Sequence, residues 1–178
     1  VGFSDVLASG GSSEEDQRNY FRIIQSNSDL LLRLINGILD LSRLEANKVI
    51  LTPEDCDVVQ LCRQALSSVE MSRRESGNRF VFETKTDSFV LQTDIQRLQQ
   101  VLINLLTNAA KFTKNGTITL QFEVEKEKNR VLFAVADTGC GIPKEKQKQV
   151  FERFEKLNEY AQGTGLGLSI CKLTVDKW

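Results

Sequence analysis

The chain has 178 residues, enough for one ordinary domain or for a domain with a smaller appendage, and its hydrophobic content of 40% can supply a core. The 23 Lys and Arg residues nearly balance 24 Asp and Glu residues, so the net charge of -1 gives no reason to expect nucleic acid as a partner. Four cysteines without a C-x-x-C pair, and no histidine, argue against a zinc site. We expect no direct membrane contact in this segment, because its most apolar charge-free stretch, 98–110, is too short to cross a bilayer.

The first part of the chain reads as a helical hairpin. Residues 1–8 resemble the last turns of a helix, which Ser9-Gly10-Gly11 ends. Ser12, with Glu15 three residues later, forms a capping-box pattern and predicts the start of a second helix.

The second helix carries a stripe of apolar or near-apolar residues at heptad spacing. The stripe consists of Ile24, Asn27, Leu31, Leu34, Ile38 and Leu41. Further apolar residues broaden it, which favours a hairpin that packs against a second copy in a four-helix bundle over a simple zipper. Asn27 could then set the register of that bundle. The alternative is an amphipathic helix that lies on its own domain.

An extended segment over residues 49–53, closed by one of only two prolines, marks a change in character. We place a domain boundary there, with the hairpin over 1–48 and a second domain over 49–178. The second domain is predicted to contain helices over 58–73, 94–112 and 166–177, and strands over 79–84, 89–92, 117–124 and 130–136. This order predicts an α+β protein in which a helical hairpin precedes an α/β sandwich with a mixed, mainly antiparallel sheet.

Two glycine segments of different design follow predicted elements. The first, Asp137-Thr138-Gly139-Cys140-Gly141-Ile142-Pro143, places a carboxylate at a strand end beside two glycines that let a ligand approach the backbone. The second, Gly163-Thr164-Gly165-Leu166-Gly167-Leu168, precedes a helical stretch and is suited to wrapping backbone N–H groups around phosphate. Together they predict a nucleotide that is held at both ends.

A third polar group lies on the helix over 94–112. Asn104 and Asn108 are four residues apart and therefore share one face, and Lys111 follows three residues later. An amide oxygen can ligate a hard cation and an ammonium can meet a phosphate. The alternative is that both amides cap loops or lie in solvent.

In order and spacing, these segments resemble the nucleotide-binding boxes of the sensor histidine kinases of two-component systems. The resemblance rests on residues 94–112, 137–143, 151–154 and 163–168. It extends to residues 12–47, which resemble the second helix of that family's dimerisation and phosphotransfer hairpin, and to residues 1–8, which resemble the end of the first.

The resemblance implies a role for each matching residue. Asn108 would ligate Mg²⁺, with Asn104 as a polar support, while Lys111 would contact phosphate and Phe112 would lie near the adenine. Asp137 would accept a hydrogen bond from the adenine amine. The ATP-binding set that the resemblance implies is completed by Gly139, Gly141, Ile142, Phe154, Gly163, Thr164, Gly165, Leu166 and Gly167.

The same resemblance implies a reaction and partners. The family moves the γ-phosphoryl group of ATP to a histidine on the first hairpin helix, and an aspartate of a response regulator receiver domain then takes it. The cofactors are ATP and Mg²⁺, and the hairpin forms a homodimer. Because the chain contains no histidine, we expect the acceptor upstream of Val1 and no self-phosphorylation. Members of the family continue into further strands after the helix over 166–177, so we expect truncations at both ends. A cytoplasmic location, as part of a membrane-bound sensor, is also implied.

Two other functions compete with this one. The first is a dimeric ATP-binding scaffold, or a degenerate kinase, that performs no phosphotransfer. The second is an ATPase related to type II topoisomerases or mismatch-repair proteins. Those enzymes should carry a carboxylate at the position of Asn104 and should lack the heptad hairpin. This chain has an amide at that position and carries the heptad pattern.

Overall fold

The computed structural model describes residues 13–46, 48–73, 76–155 and 164–178. The helices in these ranges are α1 (Glu14–Glu45), α2 (Val58–Ser72), α3 (Ile95–Phe112) and α4 (Gly167–Val175). The strands are β1 (Glu54–Asp57), β2 (Arg79–Thr84), β3 (Val90–Thr93), β4 (Thr117–Glu125) and β5 (Arg130–Asp137). The expected helix end over residues 1–8 lies outside the described residues, as does Gly163.

The first described helix begins one residue later than its capping-box pattern predicts. The backbone N–H of Asp16 donates to the Ser13 hydroxyl over 3.2 Å, and that hydroxyl donates to the Asp16 carboxylate over 2.6 Å. Ser13 is therefore the N-cap, and the prediction that paired Ser12 with Glu15 was wrong by one position. Both serines have an acidic residue three positions later, so the pattern offered two registers that only the helix itself distinguishes.

The sheet confirms the predicted α+β class and its mixed character. Strand β4 is central, since β2 pairs with it in parallel and β5 pairs with it antiparallel. The predicted hairpin of β4 and β5 is present, with Ile118 opposite Asp137. Strand β1, which the sequence analysis did not predict, forms a separate antiparallel ribbon with β3. Its sequence, Glu54-Asp55-Cys56-Asp57, is too polar to stand out as a strand before its partner is known.

The larger hydrophobic core lies between the sheet and helices α2 and α3. Residues at alternate positions of β4, Ile118, Leu120 and Phe122, point inward and are buried, as the period-two pattern predicts. They pack against buried residues of the two helices, among them Leu102 and Leu106. The ring of Phe122 lies between those of two further phenylalanines, with centroid distances of 5.9 Å to Phe89 and 5.2 Å to Phe133.

The C-terminal half of α1 packs on α4. Leu41 and Leu44 of α1 are buried against Leu166 and Ile170. Beside them, Asp40 accepts hydrogen bonds from two side chains of α3, Arg97 and Gln100. This half of the helix therefore adopts the alternative arrangement, an amphipathic helix lying on its own domain.

The predicted heptad stripe is therefore only partly buried: some of its residues pack on α4 and others are exposed to solvent. Leu34 and Leu41 face the chain's own α4, whereas Leu31 and Ile38 are exposed. The side chain of Asn27 donates to the carbonyl oxygen of Ile23 over 2.9 Å, a bond within its own helix. Among the helices that the structure describes, none combines the length and the apolar character needed to cross a membrane.

We predict that Phe122→Ala lowers the free energy of unfolding by about 3–5 kcal/mol, because it removes a ring that is 2% exposed and leaves a cavity between two others. Urea denaturation followed by circular dichroism measures this loss. The matched control is Leu132→Ala on the outer face of β5, where the side chain is 40% exposed and the cost should stay below about 1 kcal/mol. Equal losses at the two positions would contradict the assignment of sheet faces.

Candidate functional site

A carboxylate lies at the end of β5, as predicted. The Oδ1 atom of Asp137 accepts hydrogen bonds from the backbone N–H of Gly139 over 2.8 Å and from the Thr113 hydroxyl over 3.3 Å. No hydrogen bond from the described part of the chain reaches its other oxygen, Oδ2, and the residue is exposed. Asp137 therefore presents one fixed oxygen to the protein and one acceptor to the outside.

The turn after Asp137 lies directly against the end of α3. A Cβ atom at position 139 would lie 2.4 Å from the carbonyl oxygen of Phe112 and 2.8 Å from the Thr113 hydroxyl, so only glycine fits there. The backbone N–H of Cys140 donates to the same Phe112 carbonyl over 3.3 Å. Gly141 has φ of +69°, and a Cβ atom there would meet nothing within 4 Å. The turn thus forms a floor that is packed below and open above.

Helix α3 forms a wall beside this floor because its two ends are fixed. At its start, Asp94 accepts the N–H of Arg97 over 3.0 Å and the N–H of Thr52 over 3.2 Å. At its end, the N–H of Thr113 donates to the carbonyl of Ala109 over 3.0 Å. The apolar face between these ends is buried in the core, which leaves the opposite edge to carry polar residues.

The polar edge of α3 meets the start of α4. A Cβ atom at position 167 would lie 3.7 Å from Oδ1 of Asn104 and 4.0 Å from Nδ2 of Asn108. The structure therefore brings the two predicted asparagines to the glycine that begins α4. A turn further along, Nζ of Lys111 lies 4.7 Å from the centroid of the Phe112 ring, which is 37% exposed.

The glycine-rich turn before α4 is clamped by Phe154. The N–H of Phe154 donates to the carbonyl of Gly165 over 3.0 Å, and a Cβ atom on Gly165 would lie 2.7 Å from the carbonyl carbon of Phe154. Gly165 has φ of +72° and Phe154 has φ of +60°, so both residues adopt the left-handed conformation. Thr164 closes the turn by accepting the N–H of Leu166 with its hydroxyl over 3.3 Å.

Not every predicted residue faces the floor. The side chain of Leu166 is 1% exposed and packs on α1, since its Cδ1 would lie 3.1 Å from a Cβ atom on Gly37. The side chains of Ile142 and Phe154 are exposed. The predicted contribution of Leu166 can therefore come only from its backbone.

Three residues that the sequence analysis did not select help to build the floor. Thr113 donates to Asp137, Asn78 donates to the Thr113 carbonyl over 2.9 Å, and Thr138 accepts the N–H of Thr117 over 2.9 Å. Thr113 stands directly after the predicted helix, where its position as the residue that ends α3 could have been recognised. Asn78 lies 35 residues away along the chain, and no local pattern marks it.

Two buried thiols, those of Cys62 and Cys171, are structural. Cys171 of α4 is buried, its Sγ lies 3.8 Å from the carbonyl oxygen of Val101, and burial raises its pKa to about 11. Burial likewise raises the pKa of Cys62 to about 12. Both remain protonated at neutral pH and are unsuited to nucleophilic chemistry.

Comparison with known proteins identifies the family. The family model "Histidine kinase-, DNA gyrase B-, and HSP90-like ATPase" matches residues 93–178, and "His Kinase A (phospho-acceptor) domain" matches residues 1–47. The crystallised catalytic domain of the histidine kinase ThkA is 31% identical, with a TM-score of 0.63 over 71% of this chain and 81% of that one. The chain belongs to the sensor histidine kinases.

Other members of this histidine kinase family resemble the whole chain. The circadian input-output histidine kinase CikA of Synechococcus elongatus is 37% identical over 99% of this chain, and full-length ShkA, crystallised with AMPPNP, has a TM-score of 0.79 over 93% of it at 31% identity. A structure of ThkA with the response regulator protein TrrA has a TM-score of 0.72 over 95% of it at 27% identity. The chain spans 24% of CikA, 34% of the ShkA chain and 47% of that ThkA chain.

We predict that Gly139→Ala destabilises this histidine kinase chain by about 1–3 kcal/mol, because the added methyl group would press on the Phe112 carbonyl. Urea denaturation measures the change. The matched control is Cys140→Ala at the exposed neighbouring position, where we expect a change within about 0.5 kcal/mol. Equal stability of both variants and the unmodified chain would mean that the turn does not lie against the end of α3.

Proposed function

We propose that this chain binds Mg²⁺-ATP and transfers its γ-phosphoryl group to a histidine on the first hairpin helix, upstream of Val1. The observation that carries the proposal is the double role of α3. Its end supports the floor at Asp137, and its middle lies against Gly167 at the start of α4. One helix thus links a site suited to a base with a site suited to phosphates.

The floor suits the adenine end of the nucleotide. With Oδ1 of Asp137 occupied by the protein, Oδ2 is available to accept a hydrogen bond from an exocyclic amine. Gly141 leaves the space above the floor open, so a flat base can approach the backbone. The partly exposed ring of Phe112 adds an apolar surface beside it.

The start of α4 suits the phosphate end. Backbone N–H groups at a helix start attract negative charge, and Gly167 lets a ligand come close to them. The Asn108 amide lies at the same place, and its oxygen would suit Mg²⁺ because this ion takes few protein ligands and fills its shell with phosphate oxygens and water. Bound there, Mg²⁺ would neutralise phosphate charge. Lys111 on the same helix edge would add a positive charge.

The pocket's task in this reaction is positioning, with no covalent bond to the ATP-binding domain. The bond between the β–γ bridging oxygen and the γ-phosphorus breaks, ADP leaves, and a bond from an imidazole nitrogen to phosphorus forms. The 178 residues contain no histidine, so the acceptor must be supplied from outside them. An aspartate of a response regulator receiver domain would then take the phosphoryl group, a role supported by the solved ThkA complex with TrrA.

We also propose a homodimer through the hairpin. Between residues 21 and 39, α1 exposes a set of apolar side chains: Phe21, Ile23, Leu31, Leu32, Ile35, Ile38 and Leu39. A set of this size on one helix is typical of a surface that packs against other helices. The match of residues 1–47 to the phospho-acceptor domain supports this arrangement. The cytoplasmic location and the domain boundary at residues 48 and 49 stay predictions.

We predict that Mg²⁺-ATP at about 100 times its dissociation constant stabilises the chain by about 2.7 kcal/mol, and that Asp137→Asn weakens binding about tenfold or more. Calorimetry measures both. When a separate hairpin helix bearing a histidine is added, acid-labile phosphate should form on that helix. Asp137→Asn, and removal of Mg²⁺ by EDTA, should each suppress formation of this phosphate.

The matched control is Asp87→Asn, which removes an exposed carboxylate from the turn between β2 and β3. It should leave both binding and transfer unchanged. If the unmodified chain failed to bind Mg²⁺-ATP, the assignment of the pocket would be wrong. Binding without transfer would favour the ATP-binding scaffold over the kinase.

We predict that the chain sediments as a dimer and that the double variant Leu31→Glu, Ile38→Glu sediments as a monomer, because the added charges lie on the exposed stripe of α1. Analytical ultracentrifugation measures the mass. The control Val90→Glu places a charge on an apolar position of β3 that is at least as exposed as Leu31 and Ile38, and it should leave the dimer intact. A monomer at every concentration of the unmodified chain would contradict the bundle.

A further inference from the structure

We infer that Thr113 is a positioning residue that fixes the Asp137 carboxylate for purines bearing a 6-amino group. This inference rests on the proposed function, in which Asp137 accepts from that amine. It concerns a residue outside the predicted ATP-binding set. It also concerns a property, discrimination among purines, that the floor can confer only if its carboxylate is held in one orientation.

The backbone of Thr113 is held from two sides. Its N–H donates to the Ala109 carbonyl over 3.0 Å and ends α3, and its carbonyl accepts from Nδ2 of Asn78 over 2.9 Å. The Oδ1 atom of the same Asn78 accepts the N–H of Gly116 over 3.1 Å. The Thr113 side chain is 1% exposed, so its position is set by the protein and not by solvent.

The two branches of the Thr113 side chain do different things. Its Cγ2 methyl fills the space above Gly116, where a Cβ atom would lie only 2.6 Å away. Its hydroxyl lies 3.3 Å from Oδ1 of Asp137. An ionised carboxylate can only accept, so the hydroxyl is the donor in this contact.

Two donors on one oxygen restrict the rotation of the carboxylate. The N–H of Gly139 and the hydroxyl of Thr113 both meet Oδ1 of Asp137, which leaves Oδ2 as the outward acceptor. With the hydroxyl removed, Gly139 alone would hold the group, and the carboxylate plane could turn about that one bond. The outward oxygen would then spend less time where a 6-amino group can reach it.

A comparison of purines exposes this role. ATP carries a 6-amino donor, whereas purine riboside triphosphate has only hydrogen at that position and cannot bond to Asp137. The ratio of the affinities for ATP and for purine riboside triphosphate therefore reports how well the Asp137 carboxylate is oriented toward the 6-amino group. Contributions from the sugar, the phosphates and Mg²⁺ are common to both nucleotides and cancel.

Two variants separate the hydroxyl from the methyl. Thr113→Val keeps the methyl over Gly116 and removes the hydroxyl, and Thr113→Ser does the opposite. We expect Thr113→Val to reduce the preference for ATP over purine riboside triphosphate about fivefold, with the affinity for the second nucleotide unchanged. We expect Thr113→Ser to keep the preference of the unmodified chain. Calorimetric titration with the Mg²⁺ complex of each nucleotide measures both ratios.

Each other outcome has a defined meaning. An unchanged preference in Thr113→Val would overturn the inference, as would an equal loss of affinity for both nucleotides in Thr113→Val and Thr113→Ser, which indicates packing alone. If Thr113→Val did not fold, the pair Thr113→Ser and Thr113→Ala would make the same comparison without the methyl. An unmodified chain that bound both nucleotides equally would instead refute Asp137 as the amine acceptor, and with it the proposed adenine floor.

Discussion

The contact between the end of α3 and the turn after β5 is the constraint on which the site depends. At position 139 the two backbones are so close that a methyl group would collide with the Phe112 carbonyl. This contact places a strand-end carboxylate beside a helix whose polar edge runs to the start of α4. Each half of the proposed nucleotide site would lose its partner if the helix end moved away from the turn.

The position of α3 is in turn decided by packing on both of its sides. Its apolar face is buried against α2 and β4 in the core, and Arg97 and Gln100 in its first two turns donate to Asp40 of α1. The polar residues Asn104 and Asn108 occupy the edge that neither contact covers. Their nearness to Gly167 therefore follows from the burial of the opposite face.

Helix α1 and the proposed nucleotide site meet at the start of α4. Leu166 and Gly167 are adjacent, yet the first is buried against α1 and the second faces the asparagines of α3. A predicted nucleotide contact and an interhelical contact thus stand side by side in one short turn. The arrangement explains why the heptad stripe of α1 is only partly exposed, since Leu41 meets this turn while Leu31 and Ile38 remain outside.

Local patterns in the sequence by themselves determined most of the secondary structure, part of the candidate site and the family. Alternation in β4, the helical period of α3 and the two glycine segments predicted the elements, the carboxylate floor and the family, because each depends on residues close together in the chain. The tertiary structure alone decided which serine caps α1, that a polar segment forms β1, and that Leu166 faces α1. It alone joined Thr113 to Asp137 and Asn78 to Thr113, because hydrogen bonds across 24 and 35 residues leave no periodic trace in the sequence.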